Sequence, residues 1–156
     1  MKIIMVSNEF PPSIGGVQTH VYELSRAMVR LGHEVIVVTR LSDAALPIRD
    51  DMDGVIVCRY KLPNNHLIYD WKLHKILRNL IKKQHFELVH IHGMRPLDAC
   101  KKIGIPVIFT NHTSSFLKRV KKGPKILAKM RKQLSVAELV LAPSDELVNA
   151  TLMTGY

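Results

Sequence analysis

The 156-residue chain has two cysteines, few aromatic residues and no long apolar run, and each shortage excludes a class of protein. The first apolar run, residues 3–6, is too short for a signal-peptide core, and no run approaches the roughly 20 residues of a membrane-spanning helix. Cys58 and Cys100 lack metal-site spacing and lie in apolar stretches, which predicts buried thiols in a reducing compartment. We therefore expect one cytoplasmic domain, since the length suits a single hydrophobic core.

Acidic residues are also scarce. The chain has 13 Asp and Glu against 23 Lys and Arg, for a net charge of +10. This excess predicts an anionic partner, such as nucleic acid, a phosphorylated substrate or an acidic membrane. Nucleic acid is disfavoured, because aromatics make up 6% of the chain and no zinc-finger, helix-turn-helix or RNA-binding signature accompanies the charge.

The apolar residues alternate between two periodicities along the chain. Continuous apolar runs predict strands at 2–7, 34–40, 55–60, 87–92, 106–110 and 139–142, and the stretch around Asp50 is predicted to be a polar loop. Helical spacing predicts a helix that ends at Gly32, a second one with its buried stripe at Trp71, Leu73, Ile76, Leu77, Leu80 and Ile81, a short one around 96–102, and one capped by Ser144. This order predicts an α/β fold, with a mostly parallel sheet covered by helices on both faces and ligands at the carboxyl ends of the strands.

Gly15 and Gly16 separate the first predicted strand from the first helix. The absence of side chains would let an anion approach the free N–H groups at the helix start. The spacing fits neither the GxGxxG nor the Walker pattern, so a dehydrogenase-type dinucleotide fold and a P-loop NTPase are not supported. A simple turn remains the alternative interpretation.

Three histidines lie within, at the end of or after predicted strands: His90, His92 and His112. His90 and His92 lie two apart, so their side chains share one face of a strand. We expect no metal there, because neither cysteine nor carboxylate lies at suitable spacing, and favour histidines that organise a crevice. His112 could titrate or contact a sugar hydroxyl or phosphate, and its alternative is a loop histidine with its hydrogen bonds satisfied.

A run of eight bases without an acid follows, interrupted by apolar residues: Lys118, Arg119, Lys121, Lys122, Lys125, Lys129, Arg131 and Lys132. A basic amphipathic helix with this pattern can lie on an anionic membrane. A solvated helix face is the alternative.

Four ordered blocks carry a resemblance that covers nearly the whole chain. They are FPPSIGGVQTHVYELSRAMVRLGHEVIVVTR (10–40), ELVHIHG (87–93), PVIFTNHT (106–113) and LVLAPSDELV (139–148). Together they resemble the N-terminal domain of family 4 glycosyltransferases, which have the GT-B fold. The resemblance implies the Rossmann-like, acceptor-binding half of an enzyme that transfers a sugar from a UDP- or GDP-sugar with retention of configuration, without a cofactor or essential metal. The acceptor would be a sugar or a lipid-linked molecule.

The resemblance also implies roles for individual residues. Gly15 and Gly16 match the glycine loop that reaches the donor diphosphate, and His112 matches a histidine near the reacting centre. Thr113 and Asn111 become candidate acceptor or cleft contacts, and His20 and His92 are expected to shape the cleft. With this resemblance, membrane contact is favoured for Lys118, Arg119, Lys121, Lys122, Lys125 and Lys129, at the inner face of the membrane.

The chain stops at Tyr156, before the second domain that the resemblance implies. We therefore expect residues 1–156 to be a single N-terminal domain whose donor-binding half lies in cis or on a separate chain. Alone it is expected to be inactive or incomplete. The alternative function is a noncatalytic module that binds a sugar-phosphate or a partner.

Overall fold

The computed structural model describes residues 1–112 and 114–156, and within these ranges seven strands form one sheet. The strands are β1 (Lys2–Ser7), β2 (Glu34–Arg40), β3 (Arg49–Met52), β4 (Val55–Tyr60), β5 (Leu88–His92), β6 (Val107–Thr110) and β7 (Leu139–Leu141). Their spatial order is β3-β4-β2-β1-β5-β6-β7, and every pair is parallel except β3 with β4. The predicted α/β fold with a mostly parallel sheet is therefore confirmed.

The predicted polar loop around Asp50 is wrong. Residues Arg49–Met52 form β3, which pairs antiparallel with β4 through a turn at Asp53 and Gly54. Asp51 Oδ1 accepts a hydrogen bond from the Gly54 N–H at 2.9 Å, which closes the turn. A strand at the edge of a sheet can be polar because one of its sides stays open to water.

Five α-helices lie in the described part of the chain: α1 (Gly16–Arg30), α2 (His66–Lys83), α3 (Ser114–Val120), α4 (Pro124–Leu134) and α5 (Asp145–Met153). The segment Arg95–Cys100, predicted as a short helix, is a 3₁₀ helix. The helix predicted around Trp71 begins earlier, because Asn65 Oδ1 accepts from the Ile68 N–H at 3.2 Å and caps it. None of the described helices is both long and apolar enough to cross a bilayer.

The basic run does not form one helix. α3 ends at Val120 and α4 begins at Pro124, with Gly123 at a φ of 97° between them. Glycine adopts this left-handed conformation without the steric penalty of a side chain, and proline then starts the next helix. The bases are therefore divided among α3, the turn at Lys121 and Lys122, and α4.

The core has one layer on each face of the sheet. Along β1, Ile3 and Met5 pack on the side of α1, whereas Ile4 and Val6 pack on the side of α2. Alternate side chains of a strand point to opposite faces, so a fully apolar strand requires cover on both sides. Helices on both faces are thereby confirmed, and the two cysteines are buried as predicted.

Candidate functional site

Three parallel strands at the centre of the sheet end together. Ser7 of β1 pairs with His92 of β5, and His92 pairs with Thr110 of β6. The segments that follow these residues therefore leave the sheet side by side at one edge. This edge carries the glycine loop, the histidines and a basic cavity.

The loop from Asn8 to Gly15 is held by its own hydrogen bonds before α1 begins. Ser7 Oγ donates to Glu9 O, and Ser13 Oγ donates to Phe10 O, each at 2.8 Å. Phe10 is buried against the edge of the Tyr22 ring, with centroids 5.9 Å apart. These contacts fix the direction in which the chain enters α1.

Arg59 on β4 also holds this loop, a role that the sequence reasoning missed. Its side chain is 3% exposed and donates to Pro11 O at 3.3 Å and to Pro47 O at 3.1 Å. It also lies 3.6 Å from an Asp50 carboxylate oxygen. Burying an arginine costs free energy unless its charge is paired. The presence of Arg59 inside an apolar strand pattern was therefore the sequence signal for a buried, paired arginine.

Gly15 and Gly16 occupy the predicted place at the start of α1, but they differ in their surroundings. No side chain caps the helix at Gly15. A Cβ built on Gly15 collides with the Gln18 side chain, whose Nε2 donates to Glu9 at 2.6 Å. A Cβ on Gly16 meets no described atom within 4 Å. A side chain at Gly15 would therefore displace the end of the Gln18 side chain, while Gly16 leaves open space beside the first turn of the helix.

Four histidines meet at the carboxyl ends of β5 and β6, where His20 of α1 contacts the rings of His92 and His112. Ring centroids lie 4.3 Å apart for His90 and His92, 5.3 Å for His92 and His112, and 4.7 Å for His20 and His112. His90 and His92 are buried, His112 is half-buried and His20 is exposed. The prediction that His90 and His92 share one face of β5 is confirmed. The tertiary fold brings His20 and His112 next to them.

Hydrogen bonds order this cluster. His90 Nε2 lies 2.7 Å from Thr110 Oγ1, and His92 Nδ1 lies 3.0 Å from His112 Nε2. Burial lowers the pKa of His90 to about 4, and it lowers the pKa values of His92 and His112 as well. These three rings are therefore neutral at pH 7, where one of the pair His92 and His112 donates to the other. His112 reaches the surface with its orientation fixed by a buried partner.

A metal ion is geometrically compatible with part of the cluster. His20, His92 and His112 each offer one ring nitrogen, and these nitrogens lie within 4.8 Å of one another. Without a metal, His92 Nδ1 and His112 Nε2 share a hydrogen bond, while His92 Nε2 has no hydrogen-bond partner among the described residues. The expectation of no metal stays a prediction.

Asn111 and Thr113, on either side of His112 in the sequence, are the other predicted acceptor or cleft contacts. Asn111 is fully buried, and its backbone N–H donates to Leu141 O on β7 at 2.8 Å. It lies inside the protein and supports the segment that carries His112. Thr113 lies outside the described residues.

A cavity of about 580 Å³ opens beside the histidines, between the end of β5, the start of α2 and helices α3 and α4. Three bases line it, Arg95, Arg119 and Lys129, and no carboxylate is among its described lining residues. Asn8, directly after β1, and Gly93, directly after β5, complete its inner wall. Three of the 23 Lys and Arg residues thus line a concave site at the carboxyl ends of the strands, where sheets of this kind bind ligands.

Arg95 is the most firmly placed of these bases. Its Nη2 donates to Asn64 O at 2.6 Å, and its guanidinium lies 4.4 Å from the centroid of the Tyr69 ring. The Tyr69 hydroxyl in turn donates to Asn8 Oδ1. Arg95 was not among the predicted site residues, although its position three residues after a strand-end histidine was a usable signal.

The fold separates the bases predicted to contact a membrane. Arg119 and Lys129 line the cavity, and Arg119 donates to Gln133 Oε1 at 3.2 Å. Four others are exposed on the outer surface: Lys118, Lys121, Lys122 and Lys125. The structure therefore shows two groups of bases, one at the cavity and one on the outer surface, where a single membrane-facing helix surface was predicted.

Comparisons with known proteins agree with this architecture. The family described as Glycosyltransferase Family 4 matches residues 14–153. The chain is 31% identical over 122 residues to the phosphatidylinositol N-acetylglucosaminyltransferase gpi3 subunit of Schizosaccharomyces pombe, a match covering 70% of this chain and 26% of that protein. It is 31% identical over 128 residues to the alpha-monoglucosyldiacylglycerol synthase of Acholeplasma laidlawii, covering 73% of this chain and 30% of that protein.

A solved structure shows the same fold. Sucrose-phosphate synthase from Thermosynechococcus elongatus superposes with a TM-score of 0.74 at 16% identity, covering 89% of this chain and 41% of that chain. The chain therefore spans less than half of each protein compared, and less than a third of the two relatives matched by sequence.

Proposed function

Because the chain belongs to glycosyltransferase family 4, we propose that residues 1–156 form the acceptor-side half of an enzyme that transfers a sugar from a UDP- or GDP-sugar with retention of configuration. The observation that carries this proposal is the meeting of an open helix start, a fixed neutral histidine and a basic cavity at one edge of the sheet. The rest of the enzyme would supply most of the donor site, in the same polypeptide or as a separate chain.

The start of α1 suits the donor diphosphate. The first N–H groups of a helix have no intrahelical partner, and the space beside Gly16 gives an anion access to them. Cleavage of the bond between sugar and diphosphate develops negative charge on the leaving group, which fixed N–H donors stabilise most strongly in the transition state.

His112 is the residue we assign to the reacting centre. Its low pKa keeps the ring neutral at pH 7, so it offers both a donor and an acceptor nitrogen. His92 occupies one nitrogen and thereby orients the other, which can contact the transferred sugar or the attacking hydroxyl. His20 lies on the outer side of His112 and limits the space around it.

The basic cavity suits a phosphate-bearing acceptor. Arginine and lysine around a concave site bind phosphate through charge-assisted hydrogen bonds, and no described carboxylate in the wall opposes them. The two sequence relatives are named for phosphatidylinositol and for a diacylglycerol, which favours a lipid acceptor. The exposed bases Lys118, Lys121, Lys122 and Lys125 would then add attraction to an anionic bilayer.

The donor assignment is tested by titrating UDP and GDP into the chain by calorimetry. Gly16→Val places a branched side chain in open space beside the helix start, so the fold should persist while nucleotide affinity falls by about tenfold or more. Ala27→Val, exposed near the far end of α1, is the matched control and should bind as the parent does. If Gly16→Val and Ala27→Val bind the nucleotides equally well, the diphosphate does not bind at the start of α1.

The acceptor assignment is tested with myo-inositol 1-phosphate against myo-inositol. Arg119→Gln should weaken binding of the phosphate compound several-fold and leave that of inositol unchanged, because it removes one charge from the cavity wall. Lys118→Gln, exposed outside the cavity, is the charge-matched control.

Transfer itself requires an activity assay. The chain is mixed with the donor-binding half of a family 4 enzyme, labelled UDP- and GDP-sugars, and vesicles that contain phosphatidylinositol. Labelled lipid should form with the parent chain and be lost with His112→Gln. Binding of nucleotide and phosphate ligands without transfer under any condition would favour the noncatalytic module instead.

A further inference from the structure

Three large apolar side chains at the start of α2 lie exposed to water. Leu67 is 80% exposed, Ile68 52% and Trp71 63%. The sequence pattern placed Trp71 in the buried stripe of this helix, and the structure corrects this, because Tyr69, Leu73 and Leu77 form the buried face. Single exposed apolar residues are ordinary, whereas three neighbouring ones on one helix form a patch that indicates a binding surface.

The exposed face of α2 changes character along its length. At about 100° per residue, the three apolar residues and the exposed bases Lys75, Arg78 and Lys82 fall within roughly 100° of the helix circumference. An apolar half thus continues into a basic half on the same face. The Lys75 ammonium lies 5.3 Å from the centroid of the Trp71 ring, at the border between the two halves.

We propose that this face of α2 docks on an anionic lipid bilayer, with Leu67, Ile68 and Trp71 entering the boundary between headgroups and acyl chains. Tryptophan favours this boundary, because its ring is apolar while its N–H can hydrogen-bond. Lys75, Arg78 and Lys82 then lie against the acidic headgroups, where each base near the surface adds attraction.

Charge complementarity favours a bilayer over a protein partner. The only acid in α2, Asp70, lies beside this face rather than on it, and its carboxylate, 19% exposed, lies 2.8 Å from His66. A neighbouring cavity between this end of α2 and α4 is lined by Lys101, Lys129 and Lys132 and by the carboxylates of Asp70 and Asp98, so bases outnumber acids there. Bases therefore flank the apolar patch on two sides.

The apolar patch at the start of α2 lies next to the basic cavity. His66, the residue before Leu67, also lines the basic cavity. Docking would therefore hold the cavity mouth at the headgroup level. This last step rests on the proposed acceptor, while the docking itself does not.

The chain contains one tryptophan, so its intrinsic fluorescence reports the patch directly. Vesicles of phosphatidylcholine with phosphatidylglycerol should shift Trp71 emission to shorter wavelength, and brominated acyl chains should quench it. Vesicles of phosphatidylcholine alone should give a much weaker response. No shift and no quenching with acidic vesicles would overturn the proposal, whether or not the chain supports sugar transfer.

Matched variants separate this surface from the other bases. Leu67→Gln with Ile68→Gln should lower the vesicle partition coefficient by about tenfold or more, because two apolar side chains no longer leave water. Leu31→Gln, 76% exposed at the end of α1, is the control and should partition as the parent does.

The charge comparison uses three bases in each variant. Replacing Lys75, Arg78 and Lys82 by glutamine should weaken binding more than replacing Lys118, Lys121 and Lys122. An equal loss in the two charge variants, or no loss with the Leu67 and Ile68 variant, would show that α2 does not form the docking surface.

Discussion

Acidification should destabilise this chain through two buried imidazoles, His90 and His92. Burial lowers the pKa of His90 from 6.5 to about 4, and it lowers the pKa of His92 as well. Because the folded-state pKa lies below the unfolded value, the neutral rings contribute full stability above pH 6.5. That contribution is lost as the pH falls from 6.5 towards 4.

The magnitude follows from the two pKa values of His90. At pH 5 the imidazole is almost fully protonated in the unfolded chain and almost fully neutral in the folded one. The ratio of the two binding polynomials is roughly 30, which corresponds to about 2 kcal/mol relative to pH 7.5. His92 adds a similar amount, and such losses are large beside a typical stability of roughly 5–15 kcal/mol.

The assay is urea unfolding at about pH 7.5 and about pH 5, for the parent and for His90→Gln. The variant should lose about 2 kcal/mol less stability between the two pH values than the parent. This comparison is independent of any cost of the substitution itself, which is present at both pH values. His85→Gln, at an exposed histidine, is the control. Equal pH sensitivity of the parent and His90→Gln would refute the reasoning.

Three further predictions concern stability and use the same unfolding assay at neutral pH. Arg59→Met should cost about 2 kcal/mol, since Pro11 O and Pro47 O lose their buried donor, and a cost near zero would argue against a structural role. Leu73→Ala should cost about 3 kcal/mol by leaving a cavity under α2, whereas Ala substitution of the exposed Leu67 should cost little. Ser144→Ala should cost roughly 0.5–1 kcal/mol by removing the cap of α5, and Ser144→Asp should restore it.

Much of the fold follows from local sequence patterns. The strands of the parallel sheet lie within about one residue of their predicted bounds, because a strand covered on both faces must be apolar throughout. The cap at Ser144 and the end of α1 before Gly32 also depend on residues close to them in sequence. Strand β3 was missed because RDDM is polar, and only its pairing with β4 at the sheet edge makes it a strand.

Predictions failed where neighbours distant in sequence decide exposure. Periodicity found α2, yet the packing of the helix selected Tyr69 as the buried aromatic and left Trp71 in water. The basic run was visible as a run, but the packing of α3 and α4 places Arg119 and Lys129 at one cavity and leaves Lys118 outside it. Arg95 joins that cavity from another segment, and no local pattern shows that it shares a site with Arg119 and Lys129.

The sequence by itself determined the alternation of strands and helices, the two-sided cover of the sheet and the placement of Gly16, His92 and His112 after or at strand ends. These features depend on side-chain periodicity and on residues adjacent in the chain. Only the tertiary structure decided that His20 reaches His112, that three separated bases surround one cavity, and that the start of α2 presents an apolar face. The physical reason is that proximity between such side chains is set by the order of strands in the sheet and the packing of helices on it.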